Sequence, residues 1–205
     1  MKSKTKRSKR IGIYAGAFDP VHTGHITFAL QAIRAAKLDG VVFMPERRPR
    51  HKPGAEHFAH RVAMLKAAVE PHPDLAVLEL VDRYFTVRRT WPQLQAIFHD
   101  TTFVILMGSD TAAYVPEWPL AEQLLKHSEL VVGVRSNHQL QQINRLIQNW
   151  KTKPRQLYIF ESYTPDVSST DVREALQARR GVKGLLTSVQ RYAHRNWLYI
   201  SLENS

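Results

Sequence analysis

Two histidines stand close together near the start of the chain, His22 and His25, with Thr23 and Gly24 between them. They follow an apolar run over residues 11–15 and precede a stretch with helical periodicity, so they should lie at the beginning of a helix. The amino terminus of a helix offers free amides and partial positive charge, which suit a phosphate group. A zinc site fits less well, because this His-x-x-His lacks cysteine and an acidic partner at ligand spacing. The pair therefore predicts a polyphosphate site.

A second group of phosphate donors lies far along the chain. Ser168 and Ser169 offer hydroxyl groups and helix-start amides, and Arg173 offers a guanidinium that can hold a phosphate through two hydrogen bonds. Ser-Ser-Thr before an amphipathic stretch is also an ordinary helix cap, and the two interpretations are compatible. An arginine near the start of a helix opposes the helix dipole unless an anion lies nearby. This segment thus favours the same ligand as the two histidines.

Whether these two segments lie close together in the fold depends on the strands and helices between them. Short apolar runs alternate with stretches of helical periodicity, which is typical of a doubly wound parallel sheet with flanking helices. In such Rossmann-like α/β folds the ligand binds beyond the carboxyl ends of the strands. The predicted strands are residues 11–15, 40–44, 75–80, 102–107, 130–134 and 157–160. The predicted helices are residues 27–37, 57–69, 91–98, 120–126, 140–150, 170–178 and 187–195.

Length and composition limit the classes of protein to which this chain can belong. A chain of 205 residues with 43% hydrophobic and 23% charged residues can bury one substantial core. The net charge is +11, and six of the basic residues lie within residues 1–10. We predict a basic disordered tail over residues 1–10 and a single domain over residues 11–205. A basic tail can bind nucleic acid, but a short one before the first strand is more often only solvated. The lack of cysteine and of long apolar runs favours a cytoplasmic protein that does not enter the membrane.

The motifs resemble a known group, the nucleotidyltransferase superfamily marked by His/Thr-x-Gly-His and Ser-Ser/Thr-x-x-Arg signatures. Within it the chain looks most like the nicotinate-nucleotide adenylyltransferases of NAD biosynthesis. The resemblance runs over residues 11–199 and rests on matching segments along the whole domain. These are Gly-x-Phe-Asp-Pro-x-His-x-Gly-His at 16–25, His51-Lys52 in a proline-containing loop, Arg61 with Met64-Leu65, residues 107–110, Trp118, and a carboxyl-terminal stretch from Leu185 to Tyr199.

This resemblance implies a reaction in which the 5′-phosphate of nicotinate mononucleotide attacks the α-phosphorus of ATP. Pyrophosphate leaves and deamido-NAD forms, without a covalent enzyme intermediate. His22 and His25 would contact the ATP phosphates, with His25 stabilising the pentacoordinate α-phosphate, and anionic phosphate should favour their protonated forms. Ser168, Ser169 and Arg173 would hold the β- and γ-phosphates. Magnesium is expected to arrive with ATP.

The resemblance also assigns residues to the two substrates. Gly108 would let a nucleotide approach the backbone, and Asp110 would accept hydrogen bonds from ribose hydroxyls or cap a helix. Trp118 would stack on the pyridine ring or pack in the core. The expected catalytic residues are His22, His25 and Arg173. The expected ATP contacts are Gly16, Ala17, Phe18, Gly24, Lys52, Gly108, Asp110, Ser168 and Ser169, and those to the mononucleotide are Trp118, Thr86 and Arg47.

The chain departs from the family pattern in two places: the first removes one possible phosphate donor without preventing ATP binding, and the second leaves the identity of the second substrate open. Ala17 replaces a small hydroxyl residue, and Arg88 and Arg89 stand where the family commonly has an acid. A guanidinium there would favour the nicotinate carboxylate. Alternatives with the same chemistry are nicotinamide mononucleotide and phosphopantetheine as acceptors, and a different class is a non-catalytic nucleotide sensor or RNA-associated protein. A homo-oligomer is possible, and Asp19 would either approach magnesium through water or serve only in a turn.

Overall fold

The computed structural model describes residues 8–50, 52–164 and 166–200. Over these residues the chain forms a six-stranded, all-parallel sheet with strand order β3-β2-β1-β4-β5-β6. This topology confirms the predicted doubly wound α/β fold. The strands are β1 (Lys9–Gly16), β2 (Gly40–Pro45), β3 (Leu75–Val77), β4 (Thr101–Gly108), β5 (Glu129–Val134) and β6 (Leu157–Glu161).

Helices cover both faces of the sheet. They are α1 (Thr23–Ala36), α2 (Phe58–Val69), α3 (Thr90–Ile97), α4 (Ser109–Ala112), α5 (Ala121–His127), α6 (Asn137–Gln148), α7 (Ser169–Gln177) and α8 (Thr187–Arg195), with a 3₁₀ turn at Val115–Glu117. Helices α1, α2, α7 and α8 contribute to one core, and α3 to α6 contribute to the other. Because neighbouring strand residues point to opposite faces, Phe43 joins the first core and Val42 the second.

The structure corrects several predicted boundaries. Strand β1 begins at Lys9, so the predicted tail is too long at its inner end. Arg10 donates two hydrogen bonds to the Glu129 carboxylate, at 2.9 and 2.7 Å, and its backbone amide donates to Asp39. Arg10 is therefore part of the folded sheet and not of a solvated tail. Residues 1–7 of the predicted tail lie outside the described residues.

Other differences concern the elements next to the predicted site. Helix α1 begins at Thr23, four residues earlier than predicted, so His22 is its N-cap residue and His25 lies in its first turn. Strand β3 ends at Val77 and not at residue 80. Helix α4 and the 3₁₀ turn were not predicted, because each is too short to show helical periodicity.

The topology places the site between the central strands. From β1 the chain moves outward to β2 and β3, and then crosses to β4 on the other side. Such a reversal leaves a crevice beyond the carboxyl ends of the two strands, where α/β proteins bind ligands. Gly16 ends β1 and Gly108 ends β4, so both border this crevice. In the described part of the chain, no helix is both long and apolar enough to span a membrane.

Candidate active site

Two cavities open beyond the carboxyl ends of the strands. The first, of about 630 Å³, is called the basic cavity because His22, Lys52, Arg135 and Arg173 line it. The second, of about 820 Å³, is called the aromatic cavity and is lined by Phe85, Tyr114 and Trp118, among others. The two cavities share three lining residues, which are Tyr14, His25 and Gly108. His25 thus lies where a group bound in one cavity would meet a group bound in the other.

His25 has one ring nitrogen already occupied. Its Nδ1 accepts a hydrogen bond from the backbone amide of His22 at 3.2 Å, so the neutral ring carries its proton on Nε2. The ring packs against Phe18 and His22, with centroid distances of 5.1 and 3.8 Å. Burial, and then the charges of His22 and Lys52, hold the pKa of His25 well below its ordinary value. The unliganded site therefore favours a neutral His25 that donates from Nε2, whereas the protonated form expected from the sequence refers to the site with phosphate bound.

His22 is also held neutral. Its side chain is buried, and burial together with the positive charges of Arg135 and Lys52 lowers its pKa to about 4, against a smaller opposing effect of Asp171. Its Nδ1 is one of the buried side-chain atoms that lack a hydrogen-bond partner within the described residues. The pKa of each histidine falls for the same main reason, which is that the ring is removed from water.

Gly24 makes room for the His22 ring. A Cβ at position 24 would lie 2.9 Å from both Cε1 and Nδ1 of that ring, closer than real side chains approach. Gly24 lines the basic cavity, where it was predicted to contact ATP. The structure adds a second explanation for a glycine at this position, which is the space that the His22 ring requires. The glycine between the histidines allows the two rings to stack.

The start of α7 closes the basic cavity with its backbone. The Ser168 hydroxyl accepts a hydrogen bond from the Asp171 amide at 3.2 Å and lies 2.6 Å from the Asp171 carboxylate, as expected for a helix cap. The Ser169 hydroxyl donates to the Pro20 carbonyl at 3.0 Å. Both serines line the cavity, yet their hydroxyl groups serve the protein itself. The amides of the first helical turn are the groups left to face a ligand.

Arg173 projects from α7 into the same cavity. It donates to the Asp19 carbonyl at 2.6 Å and to the Thr170 hydroxyl at 3.1 Å. Its guanidinium is 4.0 Å from the Asp19 carboxylate. Lys52, predicted as an ATP contact, lines this cavity, and so does Arg135, which the sequence analysis did not single out. Arg135 directly follows β5, and its place after the carboxyl end of a strand is the signal that could have revealed it.

A loop near the end of the chain joins the two signature segments. The Gly184 carbonyl accepts a hydrogen bond from the Thr23 amide at 2.9 Å. Gly184 has a φ of +93°, and a Cβ there would lie 2.2 Å from Val167, immediately before Ser168. Only glycine permits this approach and this conformation. The loop therefore fixes the beginning of α1 relative to the beginning of α7.

Residues 16–18, which were predicted to contact ATP, do not all line the same cavity. Gly16 and Phe18 line the aromatic cavity, whereas Ala17 lines neither cavity. The carbonyl of Ala17 accepts a hydrogen bond from Arg61, whose buried guanidinium also bonds the Glu46 carbonyl at 2.8 Å. Arg61 holds this loop against the one after β2. The structure thus gives Ala17 a backbone contact with Arg61 and no place in either cavity wall.

The aromatic cavity combines rings with charged groups. Trp118 lies 6.2 Å from Phe85 between ring centroids, and both line the cavity. Arg50 lines it as well, stacks over Tyr84 at 4.0 Å and donates to the Phe85 carbonyl at 3.3 Å. Glu46 accepts a hydrogen bond from the Phe85 amide at 3.2 Å, and burial raises the pKa of Glu46. Two residues that follow β2 therefore hold the backbone of Phe85: Arg50 bonds its carbonyl and Glu46 bonds its amide.

Gly108 and Asp110 lie at the end of β4 beside this cavity. Asp110 lies in the first turn of α4 and lines the aromatic cavity only, although it was predicted as an ATP contact. Apart from Gly108 itself and its two neighbours along the chain, no atom of the described residues lies within 4 Å of the position that a Cβ on Gly108 would take. A ligand can therefore approach the backbone at Gly108 closely, as the sequence analysis expected.

Two residues predicted to contact the mononucleotide, Arg47 and Thr86, line neither cavity. Arg47 donates to the Leu80 carbonyl at 2.8 Å and stacks over Phe58 at 4.3 Å, outside the walls of both cavities. Thr86 accepts a hydrogen bond from the Arg89 amide at 3.3 Å, in the turn that leads into α3. It faces a different surface depression, beside Arg89.

Arg89 itself does not supply the expected guanidinium for a carboxylate. Its Nε forms an ion pair with Asp82 at 2.9 Å, and it lines neither of the two cavities. The arginine that reaches the aromatic cavity is Arg50, two residues before Lys52. Arg50 belongs to the loop after β2 that also contains Arg47, Arg48 and Lys52, and the sequence does not indicate which of these arginines turns inward.

The Asp19 carboxylate, predicted to approach magnesium through water or to serve in a turn, has partners within the protein. One carboxylate oxygen accepts hydrogen bonds from the Tyr199 hydroxyl at 2.8 Å and from the Glu56 amide at 3.3 Å. No cluster of three or more histidine, aspartate or glutamate side chains able to hold a metal occurs in the described ranges. A magnesium ion would accordingly have to be held largely by the ligand's own phosphates.

The parallel sheet with its switch-point cavities, the stacked histidines and Arg173 together define a nucleotidyltransferase of the Rossmann-like α/β class. Residues 13–175 match the model of the cytidylyltransferase-like family. The chain belongs to the cytidylyltransferase-like family.

Two relatives align with this chain over nearly the full length. The nicotinate-nucleotide adenylyltransferase of Bacillus subtilis is 29% identical, with 94% of this chain and 100% of that protein aligned. A protein of Coprothermobacter proteolyticus named "probable nicotinate-nucleotide adenylyltransferase" is 32% identical, with 96% and 98% aligned. The chain therefore spans nearly the whole of these relatives.

The same fold occurs in solved structures. The nicotinic acid mononucleotide adenylyltransferase of Plasmodium falciparum, complexed with NaAD, superposes with a TM-score of 0.77. The alignment covers 95% of this chain and 100% of that one, at 18% sequence identity. At that identity the likeness supports the fold, and the chemistry rests on the site.

Proposed function

We propose that this protein transfers AMP from ATP to the 5′-phosphate of nicotinate mononucleotide, forming deamido-NAD and pyrophosphate. The observation that carries this proposal is the position of His25 in the shared wall of the basic and aromatic cavities. A polyphosphate in the basic cavity and an aromatic mononucleotide in the other would bring their phosphates together there. The names of the full-length relatives support the same reaction.

The reaction needs positioning and charge neutralisation more than a nucleophilic side chain. The acceptor phosphate oxygen forms a bond to the α-phosphorus of ATP, and the bond from that phosphorus to the bridging oxygen of pyrophosphate breaks. His25 donates from Nε2 to an oxygen of the α-phosphate, where negative charge is redistributed in the transition state. Lys52, Arg173 and the first-turn amides of α7 neutralise the leaving pyrophosphate.

Arg50 is the group in the aromatic cavity that favours an acidic acceptor, although the carboxyl groups of Glu46, Asp110 and Glu117 line the same cavity. Trp118 and Phe85 provide aromatic faces, and Arg50 provides a guanidinium in the same cavity. A guanidinium attracts the carboxylate of a nicotinate ring or a phosphate, whereas the neutral amide of nicotinamide gains less. Burial raises the pKa of the Glu46 carboxyl group, which accepts a hydrogen bond from the Phe85 amide.

Magnesium, location and assembly are further parts of the proposal. We take magnesium to enter as the complex with ATP, because Asp19, the carboxylate in the wall of the basic cavity, has one oxygen engaged by Tyr199 and Glu56. A cytoplasmic location and a possible homo-oligomer remain predictions from the sequence.

The test supplies purified protein and Mg-ATP with one acceptor at a time: nicotinate mononucleotide, nicotinamide mononucleotide or phosphopantetheine. Pyrophosphate release is measured and the product is identified by mass. We expect release with nicotinate mononucleotide and a product with the mass of deamido-NAD. Release with phosphopantetheine alone would contradict the assigned acceptor. ATP binding without release for any acceptor would favour a nucleotide sensor.

A further inference from the structure

Tyr199, near the end of the chain, contacts Asp19, a residue in the wall of the basic cavity. Its hydroxyl donates a hydrogen bond of 2.8 Å to Oδ1 of Asp19, a residue 180 positions earlier. We propose that Tyr199 is a positioning residue for Arg173 and acts through Asp19. This inference rests on the proposed function in one respect, namely that Arg173 meets the phosphates of ATP.

The Asp19 carboxylate is surrounded by defined partners. It is 3% exposed, and its Oδ1 accepts hydrogen bonds from the Tyr199 hydroxyl and the Glu56 amide. Its Oδ2 lies 4.0 Å from Nη1 of Arg173, and that same Nη1 donates to the Asp19 carbonyl at 2.6 Å. The guanidinium is thus oriented by the backbone of Asp19, while the carboxylate is kept at the outer limit of an ion pair.

This separation matters for the charge of the site. A buried carboxylate attracts a nearby guanidinium strongly, because little water screens the pair. A close ion pair with Asp19 would neutralise the positive charge of Arg173, which would otherwise attract the ATP phosphates. By holding Oδ1, Tyr199 and Glu56 restrain the carboxylate from turning toward Arg173. Loss of the Tyr199 hydroxyl would remove one of these two restraints.

The tyrosine is suited to act as a constant donor. Burial, together with the charge and hydrogen bond of Asp19, raises the pKa of the Tyr199 hydroxyl, so it stays protonated at neutral pH. Tyr199 has a φ of +60°, a left-handed conformation that is costly for an aromatic residue. Such conformations persist where the surrounding structure imposes them, and here the conformation coincides with the contact to Asp19.

The segment that carries Tyr199 is anchored independently of this contact. Leu198, the preceding residue, is 8% exposed and its amide donates to the Ala193 carbonyl at 3.0 Å. Tyr192 in α8 places its hydroxyl 3.1 Å from Nδ1 of His60 in α2. Replacing Tyr192 by phenylalanine therefore removes one tyrosine hydrogen bond from the same part of the chain, but away from Asp19. Tyr192→Phe is the matched control.

The experiment compares Tyr199→Phe with Tyr192→Phe in the full chain. We expect Tyr199→Phe to raise the KM and the Kd for Mg-ATP about tenfold, the size expected when one hydrogen bond to a charged group is lost. The KM for the mononucleotide should stay at the wild-type value, and Tyr192→Phe should change neither constant. Melting temperatures of both variants control for general destabilisation.

A double-mutant cycle tests the route through Arg173. In an Arg173→Ala background, Tyr199→Phe should have no further effect on the Kd for Mg-ATP, because the residue that it positions is absent. An undiminished effect in that background would overturn the inference. So would equal ATP constants for Tyr199→Phe and Tyr192→Phe. If the wild-type protein binds ATP but releases no pyrophosphate, the proposed function is wrong, and the Kd measurements still decide the role of Tyr199.

Discussion

The backbone amide of His22 donates a hydrogen bond to Nδ1 of His25 across 3.2 Å. The two imidazole rings stack with their centroids 3.8 Å apart, and both are neutral in the unliganded site. The hydrogen bond leaves Nε2 as the donor of His25. Because His25 lines both cavities, this donor is available at the place where the two substrates would react.

Replacing His25 by alanine should lower kcat far more than it weakens ATP binding. The proposed hydrogen bond strengthens as charge shifts in the transition state, and loss of one such donor typically costs about 10² to 10³ in kcat. Steady-state kinetics and a separate measurement of the Kd for ATP give the two quantities. His99→Ala, at an exposed position between α3 and β4, is the control. Wild-type kcat in a folded His25→Ala protein would exclude His25 from the mechanism.

The lowered pKa of His22 should make stability depend on pH. The ordinary pKa of histidine is 6.5 and that of folded His22 is about 4, so between these values the unfolded chain binds more protons than the folded one. The free energy of unfolding therefore falls as the pH is lowered from 6.5 toward 4, by up to about 1.4 kcal/mol per pH unit for one histidine. Below pH 4 this contribution has been lost.

Urea unfolding of the wild type and of His22→Asn at several pH values between these limits measures that contribution. The variant should lose less stability over the interval, while the part due to His25 remains. Equal slopes for the two proteins would show that His22 is not held neutral by the fold.

Arg50 and Arg47 should differ in their effect on the acceptor. Arg50 lines the aromatic cavity, whereas Arg47 is held on the Leu80 carbonyl and the Phe58 ring. Arg50→Ala should raise the KM for nicotinate mononucleotide about tenfold or more, because a charge-assisted contact is lost. Arg47→Ala should leave it near the wild-type value, and neither change should alter the KM for ATP. The reverse ranking of the two variants would place the acceptor elsewhere.

Gly24→Ala should damage activity without a large loss of stability. Alanine is the better helix former by about 1 kcal/mol, which offsets part of the collision of its Cβ with the His22 ring at 2.9 Å. The ring must move, which disturbs its stacking on His25 and should lower kcat at least tenfold. Gly181→Ala, where a Cβ meets nothing within 4 Å, is the matched control. Crystal or NMR data showing an unmoved His22 ring would contradict this explanation.

The sequence by itself determined the sheet and both signature segments. Apolar runs such as residues 130–134 predicted buried parallel strands because their hydrophobic pattern is local. His22, His25 and Arg173 could be selected for the same reason, since their neighbours along the chain already indicate a strand end or a helix start. The site roles of these residues remain predictions until the variants are measured.

Only the tertiary structure decided which side chains face the ligand and in what charge state. Arg47 and Arg50 belong to one basic loop, and packing alone turned Arg47 onto Phe58 and Arg50 into the aromatic cavity. The neutral histidines follow from burial, which depends on residues distant in the chain. The contact of Tyr199 with Asp19 joins positions 180 residues apart. Such orientations are set by the three-dimensional packing of the whole domain, and no local pattern of residues records them.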